Sequence, residues 1–158
     1  MDFFEDQAPA HVKSFKDHVR SRYYDGTIFH RIVPDFVMQG GDPNTRLSNR
    51  KIYGKGGVAA SFYGIGGKRD SSSWELSAEL NEIMHERGVV SMARGSNINS
   101  AGSQFFICIT DLPNLDGNYT VFGKVLDGMD VVDNIMKVSV DFRDNPIERL
   151  EMRISICN

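Results

Sequence analysis

Three polar side chains interrupt stretches that otherwise read as apolar strands. Arg31 lies inside Phe29–Val33, Gln39 closes Phe36–Gly40, and Gln104 opens a run of aromatic and aliphatic residues reaching Ile109. Side chains alternate along a strand, so Gln104 and Phe106 share one face while Phe105, Ile107 and Ile109 share the other. The second set reads as an interior. The first reads as a half-exposed surface where a polar donor lies beside an aromatic ring. Taken singly, each residue would pass as a snorkelling arginine or a polar strand end. Three of them in short segments point instead to a surface with a task. The chemistry within its reach is hydrogen bonding, with a guanidinium that stays charged at any physiological pH.

Other chemistries lack their parts. Gly64-Ile65-Gly66-Gly67-Lys68-Arg69 has Phe62 where a phosphate-binding loop needs its first glycine and Arg69 where it needs Ser or Thr. Neither this stretch nor Gly54-Lys55-Gly56-Gly57 completes a dinucleotide fingerprint. His11, His18, His30 and His85 are dispersed and have no matching cysteine spacing, so no metal site is expected. His11 and His18 are expected at solvated or half-buried positions, and Met84 and Met92 as core fillers. No Gly-x-Ser-x-Gly elbow marks a nucleophile. Cys108 and Cys157 each sit in an apolar run and read as buried free thiols. The Asn118-Tyr119-Thr120 sequon reads as a coincidence.

The formal net charge of −3 disfavours a nucleic-acid partner, which is usually met by a basic stripe. No apolar run approaches the ~18 residues of a membrane span. Met1–Pro9 has neither the basic nor the apolar region of a secretory signal. A cytoplasmic chain with no nucleic-acid and no membrane partner is the expectation.

The elements that must hold the polar trio are mostly strands. Candidates are Thr27–Val33, Phe36–Gly40, Gly88–Ala93, Gln104–Thr110, Thr120–Leu126 and Met152–Cys157, separated by turn dipeptides such as Asp25-Gly26, Asp116-Gly117 and Asp127-Gly128. A helix is predicted from Pro9 to Arg22, with Val12, Phe15 and Val19 on one face and Pro9 in its first turn. A shorter one is predicted from Met129 to Met136, with Asp127 near its start. Few helices and no βαβ rhythm imply an antiparallel barrel or sandwich, and the pattern does not choose between them. Thr45 to Ser73, rich in Gly, Ser, Lys and Arg, reads as a long surface loop.

Two stretches resemble the signature segments of the cyclophilin family. The first is Phe29-His30-Arg31-Ile32-Val33-Pro34-Asp35-Phe36-Val37-Met38-Gln39-Gly40-Gly41-Asp42. The second is Gly88-Val89-Val90-Ser91-Met92-Ala93-Arg94, continuing in Ser100-Ala101-Gly102-Ser103-Gln104-Phe105-Phe106-Ile107-Cys108. Leu115-Asp116-Gly117 and Val121-Phe122-Gly123-Lys124-Val125 follow at the expected distance. The resemblance covers Met1 to Cys157. It implies a mainly β fold: a cyclophilin-like eight-stranded antiparallel barrel with two capping helices, one domain over residues 1–158, and an active groove on the outer face.

The resemblance also implies a peptidyl-prolyl cis-trans isomerase that uses no cofactor. Its partners would be proline-containing peptides and unfolded or client proteins. The alternative is a non-catalytic proline-peptide-binding or scaffold module using the same groove. The family's catalytic arginine falls on Arg31, and its proline pocket on Phe36, Val37, Phe106, Leu115 and Tyr119. Gln39 and Gln104 match the residues that orient the arginine and the substrate backbone. Ala93 and the Arg94 main chain match the edge that holds the peptide.

The sequence departs from the family at several points. Val37 stands where many members carry methionine, and Tyr119 replaces a common histidine. Asn114 takes the place of a tryptophan that helps some members bind cyclosporin, which makes cyclosporin a candidate ligand of reduced affinity. Members usually carry a further segment before Met1-Asp2-Phe3-Phe4, supplying one strand and most of the next. The expectation is therefore a chain that begins upstream, the alternative being that another segment or chain fills the gap, and, as it stands, a sheet with at least one unpaired edge, since only closure removes edges.

Overall fold

A strand persists only beside a hydrogen-bonded neighbour. Where the alternating segments find one, a six-stranded sheet forms within residues 1–157, the part of the chain that the computed structural model describes. Its strands are β1 (Asp2–Phe3), β2 (Arg31–Ile32), β3 (Val37–Gly40), β4 (Val89–Met92), β5 (Phe105–Cys108) and β6 (Val121–Lys124). They lie in the order β1-β6-β4-β5-β3-β2, every pair antiparallel. Two α-helices accompany them, α1 (Pro9–Arg20) and α2 (Met129–Ile135). The fold is mainly β, as expected. Hydrogen bonds do not close the sheet: β1 and β2 are its ends among the described residues.

The regular strands are shorter than the apolar segments that contain them. Thr27–Val33 keeps Arg31–Ile32 as strand and a single bridge from Ile28 to Glu151. Met152–Cys157, expected as a strand, keeps one backbone bond, from the Met152 N–H to the Thr27 carbonyl at 2.9 Å. Past it no described segment pairs with the chain, so the apolar residues there have no ladder to join. β1 shows the converse. Two residues are too few for alternation to reveal, yet they pair with Lys124 and Gly123.

α1 buries Val12, Phe15 and Val19, the stripe that its spacing marks out. Ala8 gives the first turn no side-chain cap. Glu79 supplies one from a distant loop: the Ala10 and His11 N–H groups donate to its two carboxylate oxygens at 3.0 Å each, and His11 Nδ1 lies 2.6 Å from Oε2. An anion is stabilising at this end of a helix. Burial alone would raise the Glu79 carboxyl, but the bonds from His11 and Ala10 outweigh it and hold the group low.

His11 is therefore buried, as is His18, whose Nε2 lies 2.8 Å from the Val58 carbonyl. The solvated or half-buried placement expected of both is overturned because each ring has a fixed polar partner. α1 stops at Arg20 because Arg22 takes a φ of +58° and the Tyr23 N–H turns back to the His18 carbonyl. Two further expectations fail at the surface. Met84 is 60% exposed, and Cys157 is exposed whereas Cys108 is buried, both as free thiols.

The two faces of β5 enter different apolar clusters. Phe105 and Ile107 join the main core, where the Phe15 ring centre lies 5.2 Å from that of Tyr24 and 5.3 Å from those of Phe105 and Phe122. Phe106 and Cys108 join a second cluster with Val37, Val89, Leu115 and Val121. The loop from Thr45 to Ser73 is pinned rather than loose. Around and within it, 3₁₀ turns at Pro43–Arg46, Arg50–Ile52 and Ser71–Ser73 are each capped by an Asp or Asn side chain accepting the N–H two residues on. Buried Asp42 also accepts the Gly54 N–H at 2.6 Å, and Gln104 Nε2 donates to the Gly56 carbonyl at 2.7 Å.

Gly41 follows β3 at a φ of +86°, and a Cβ there would sit 2.5 Å from the Ser103 carbonyl oxygen. Ser103 Oγ donates to the Gly41 carbonyl at 2.7 Å, and the Tyr24 hydroxyl donates to the Ser103 carbonyl at 3.0 Å. Gln39 and Gln104 both lie within two residues of this contact, so it sets their separation. Gly41→Ala should destabilise the protein by more than the ~1–3 kcal/mol of backbone strain alone, because the clash adds to it. Denaturant unfolding measures the loss, and an unchanged midpoint would contradict the close approach.

Candidate active site

Register decides which side chains stand together. Arg31 of β2 is opposite Gln39 of β3, Gln39 is opposite Phe106 of β5, and Phe106 is opposite Ser91 of β4. Directly opposed residues point to the same face, and neighbouring strands lie roughly 4.8 Å apart. A guanidinium, an amide, an aromatic ring and a hydroxyl therefore form one row across four strands.

A notch of about 190 Å³ lies over this row. Arg31 and Gln39 supply its polar wall, Phe36, Val37, Phe106, Leu115 and Tyr119 its apolar wall, and Ala93 and Arg94 its edge. Gln104 is the one expected site residue that does not line it. It lines an adjoining cavity of about 300 Å³ shared with Gln39, Ala93 and Arg94. Gln39 Nε2 donates to Gln104 Oε1 at 3.0 Å, so the two amides hold each other rather than the arginine. The Ala93 N–H is already used, donating to the Gln104 carbonyl at 2.9 Å.

Arg31 is held more loosely. Its Nε lies 3.7 Å from Asp144 Oδ2, and its side chain is 38% exposed. That separation is an ion pair without a hydrogen bond, and exposed pairs of this kind are weak. The guanidinium carbon lies 5.7 Å from the Phe36 ring centre. The donors of Arg31 thus remain available to a group bound against the aromatic wall.

Residues that sequence reasoning missed brace that wall. His85 is buried and its ring lies parallel to that of Phe106, with centres 6.1 Å apart and planes 17° apart. Its Nδ1 lies 2.9 Å from Asp116 Oδ1, and its Nε2 lies 3.1 Å from Ser91 Oγ. The His85 backbone N–H, and after it the ring, hold the Asp116 carboxyl low. Ser91 Oγ donates to the Thr120 carbonyl at 2.9 Å, so the hydroxyl serves the scaffold.

Tyr119 meets Phe106 edge-on at 5.7 Å and is covered by the Arg94 guanidinium at 4.7 Å. Arg94 Nη2 donates to the Asn118 carbonyl at 2.9 Å, so its side chain, and not only its main chain, shapes the edge. Hemmed in by these rings, Phe106 is 5% exposed, more buried than a half-exposed strand face implies. Asp116-Gly117 was legible as a turn and as part of a family-like segment but not as a partner of His85, and a lone histidine gives no spacing signal. Nothing in the sequence alone links the three residues of this brace.

The arrangement offers a permanent cation, hydrogen-bonding amides and a desolvated aromatic wall. It offers no activated nucleophile: burial pushes the Cys108 thiol up to about 12, with Asp116 and Asp111 adding to the effect. The described residues hold no cluster of three or more His, Cys, Asp or Glu side chains suited to a metal ion.

Comparison with known proteins gives a consistent picture. The profile of the family described as "Cyclophilin type peptidyl-prolyl cis-trans isomerase/CLD" matches residues 1–158. A peptidyl-prolyl cis-trans isomerase of Schizosaccharomyces pombe is 38% identical over 153 residues, covering 96% of this chain and 87% of its own length. A Brucella abortus protein named "Probable peptidyl-prolyl cis-trans isomerase" is 46% identical over 134 residues, which is 85% of this chain. The chain spans only 64% of that relative's length. Among solved structures, a cyclophilin-type peptidyl-prolyl cis-trans isomerase of Cryptosporidium parvum, determined in the presence of the dipeptide Ala-Pro, is similar at a TM-score of 0.82 and 31% identity. It covers 99% of this chain and 91% of its own.

His30, the neighbour of Arg31, has a consequence for stability. It is 2% exposed, and burial pushes its imidazole down to about 4 against the opposing pull of Asp42, the Ile28 carbonyl and the Gln104 side chain. An unfolded histidine titrates near 6.5. Between about 6.5 and 4 the unfolded chain therefore binds more protons, and stability is lost as the pH falls through that window. His18, also lowered by burial, acts in the same direction. A loss of about 3 kcal/mol from His30 is expected between pH 7 and 4. Urea midpoints across this range, for wild type and His30→Gln, check it; a variant with the wild-type slope refutes the assignment.

Proposed function

The chain belongs to the cyclophilin-type peptidyl-prolyl cis-trans isomerase family, and on that premise we propose that it isomerises X–Pro bonds in proline-containing peptides and in unfolded or client proteins, with Arg31 as the catalytic group. The observation that carries this reading is the row of Arg31, Gln39 and Phe106 beneath one notch. The Cryptosporidium relative determined with Ala-Pro supports a proline peptide as its occupant.

Amide resonance bars rotation about an X–Pro bond by about 18–20 kcal/mol, so the uncatalysed event takes tens of seconds or more. Nothing covalent has to form. The site needs only to bind the twisted amide better than either planar form. As the bond twists, conjugation is lost and the proline nitrogen regains a lone pair that accepts a hydrogen bond.

Arg31 donates to that nitrogen and stays charged throughout. The proline ring sits against Phe106, flanked by Phe36, Val37, Leu115 and Tyr119, where water is excluded and the charge-assisted bond is strengthened. Val37 gives this wall a shorter side chain than the methionine of many relatives. Gln39, Gln104, Ala93 and Arg94 hold the flanking backbone, so that one side of the bond is fixed while the other turns. A 10⁵-fold acceleration asks for roughly 7 kcal/mol, which one charge-assisted hydrogen bond, desolvation and pinning of the peptide share.

No helix among the described residues is long and apolar enough to cross a membrane. A cytoplasmic site of action forms part of the proposal, supported by two cysteines that remain free thiols. Cyclosporin would bind the same groove weakly, since exposed Asn114 offers it no indole.

A protease-coupled isomerisation assay tests the mechanism. Arg31→Ala should lower kcat/KM on the order of a hundredfold or more, the cost of removing one preorganised donor, with an unchanged thermal midpoint. Near wild-type turnover in that variant would sink the mechanism. Binding of a proline peptide by the wild type without acceleration would instead favour a docking module. Phe106→Ala should both weaken peptide binding and destabilise the protein by about 3–5 kcal/mol, because a buried ring is lost from a packed cluster; peptide titration and denaturant unfolding report the two effects separately.

A further inference from the structure

A cavity of about 610 Å³ adjoins the notch and shares Arg31 and Gln39 with it. Its remaining walls bring together Arg50 and Lys51 from one 3₁₀ turn, Lys55 from the loop beyond, Arg143, and the buried His30 and Asn145. Five cations line it and no carboxylate does, in a chain of net charge −3. Three carboxylates stand by the wall without lining it: Asp141 Oδ2 lies 3.3 Å from Arg50 Nη1, Asp144 pairs with Arg31 at 3.7 Å, and buried Asp42 accepts the Gly54 N–H at 2.6 Å and acts on His30. Lys51, Lys55 and Arg143 enter no ion pair among the described residues.

Beneath the cavity wall lie buried polar atoms without a partner in good hydrogen-bond geometry. Neither ring nitrogen of His30, itself 2% exposed, has a partner in good hydrogen-bond geometry, although the Ile28 carbonyl and the Gln104 side chain lie close enough to favour its charged form. Its Nε2 faces Gly54, where a Cβ would lie 3.6 Å away, and Gly54 lines the cavity. A neutral imidazole still carries one N–H to donate. Asn145 Oδ1 is unpartnered as well, while its Nδ2 donates to the His30 carbonyl at 2.7 Å. Like charges gathered around a concave wall focus a positive potential. An anion at the centre would relieve their repulsion.

We propose that this cavity is a subsite for an anionic side chain, a carboxylate or a phosphate, carried by the substrate peptide within two residues of its proline. The inference rests on the isomerase reading above and adds to it a preference for peptides with an acidic residue close to the proline. The shared Arg31–Gln39 wall sets the reach: an extended chain advances about 3.3–3.6 Å per residue, so a neighbour of the proline seated in the notch arrives at the cavity mouth.

Turnover of a neutral Ala-Pro peptide sets the baseline and tests the isomerase reading by itself. Peptides with Glu, phosphoserine or Lys at each position within two residues of the proline then report the preference. NMR titration of the same peptides gives affinities that need no turnover. Glu or phosphoserine at one of these positions should raise kcat/KM and affinity about tenfold over Ala, Lys should lower both, and added salt should shrink the gain. A gain for phosphoserine alone assigns a phosphate, and similar gains for both assign a general anion; either supports the subsite.

The double variant Lys51→Glu/Arg143→Glu, at two exposed positions, should lose the gain while turning over the neutral peptide at the wild-type rate. Equal affinity of the wild type for acidic, neutral and basic peptides overturns the proposal, as does a gain that survives the double charge reversal. Binding of single-stranded RNA that the double variant loses, with no gain for acidic peptides, also overturns it and makes the cavity a nucleic-acid surface.

Discussion

The site depends on a single register. Side chains repeat every two residues along a strand, so a slip of one residue between β3 and β5 would send Phe106 into the main core and Phe105 toward the groove. The pairing of Gln39 with Phe106, and of Arg31 with Gln39, is what makes a cation, an amide and a ring adjacent. Two devices secure it. Large apolar residues on both faces of β5 would each be misplaced by a slip. Beyond the strand ends, the close approach of Gly41 to Ser103 and the hydrogen bond between them favour this offset.

The row is then stiffened unequally. Phe106 is locked by His85 on one ring face and by Tyr119 at its edge, and those two are fixed by Asp116, Ser91 and Arg94. Gln39 and Gln104 close on each other, and Gln104 continues to the loop carbonyl of Gly56. Arg31 alone is tethered by a long ion pair to Asp144. In the proposed mechanism that inequality is useful. The proline ring needs a rigid wall, whereas the guanidinium must follow a nitrogen that moves as the bond turns.

The pattern that a sequence shows is local, and the parts of this fold that were legible are the local ones. The helix stripe of Val12, Phe15 and Val19, the alternation around Gln104 and Phe106, and the turn glycines all act within a few residues. The segments resembling a known family carried the rest of the site. What stayed hidden depends on partners far along the chain. Glu79 caps a helix that begins at Pro9, and Asp116 orients His85. The same distance explains the misplacement of His11 and His18: each looked polar enough for solvent until a remote carboxylate or carbonyl made burial affordable. Met152–Cys157 failed as a strand for the related reason that β-propensity states what a segment can do beside a neighbour, and the neighbour is not in the segment.

Sheet and loop divide the labour around Arg31. The apolar notch is built from strands and the segments packed on them, so its shape follows from register and core packing, and changes there cost stability. The cationic cavity draws Arg50, Lys51 and Lys55 from the loop after Asp42, anchored at its base by the bonds of Asp42 to Asn44 and Gly54. A loop fixed at its base but carrying exposed charges can change those charges without disturbing the row beneath. The rotation step would thus be set by the sheet, and the choice of peptide by the loop. Arg31 is the point where the two meet, since it lines both cavities. An anion held beside it would lower the local positive potential and strengthen the binding of the peptide that carries it, while the donors facing the notch would remain available to the proline nitrogen.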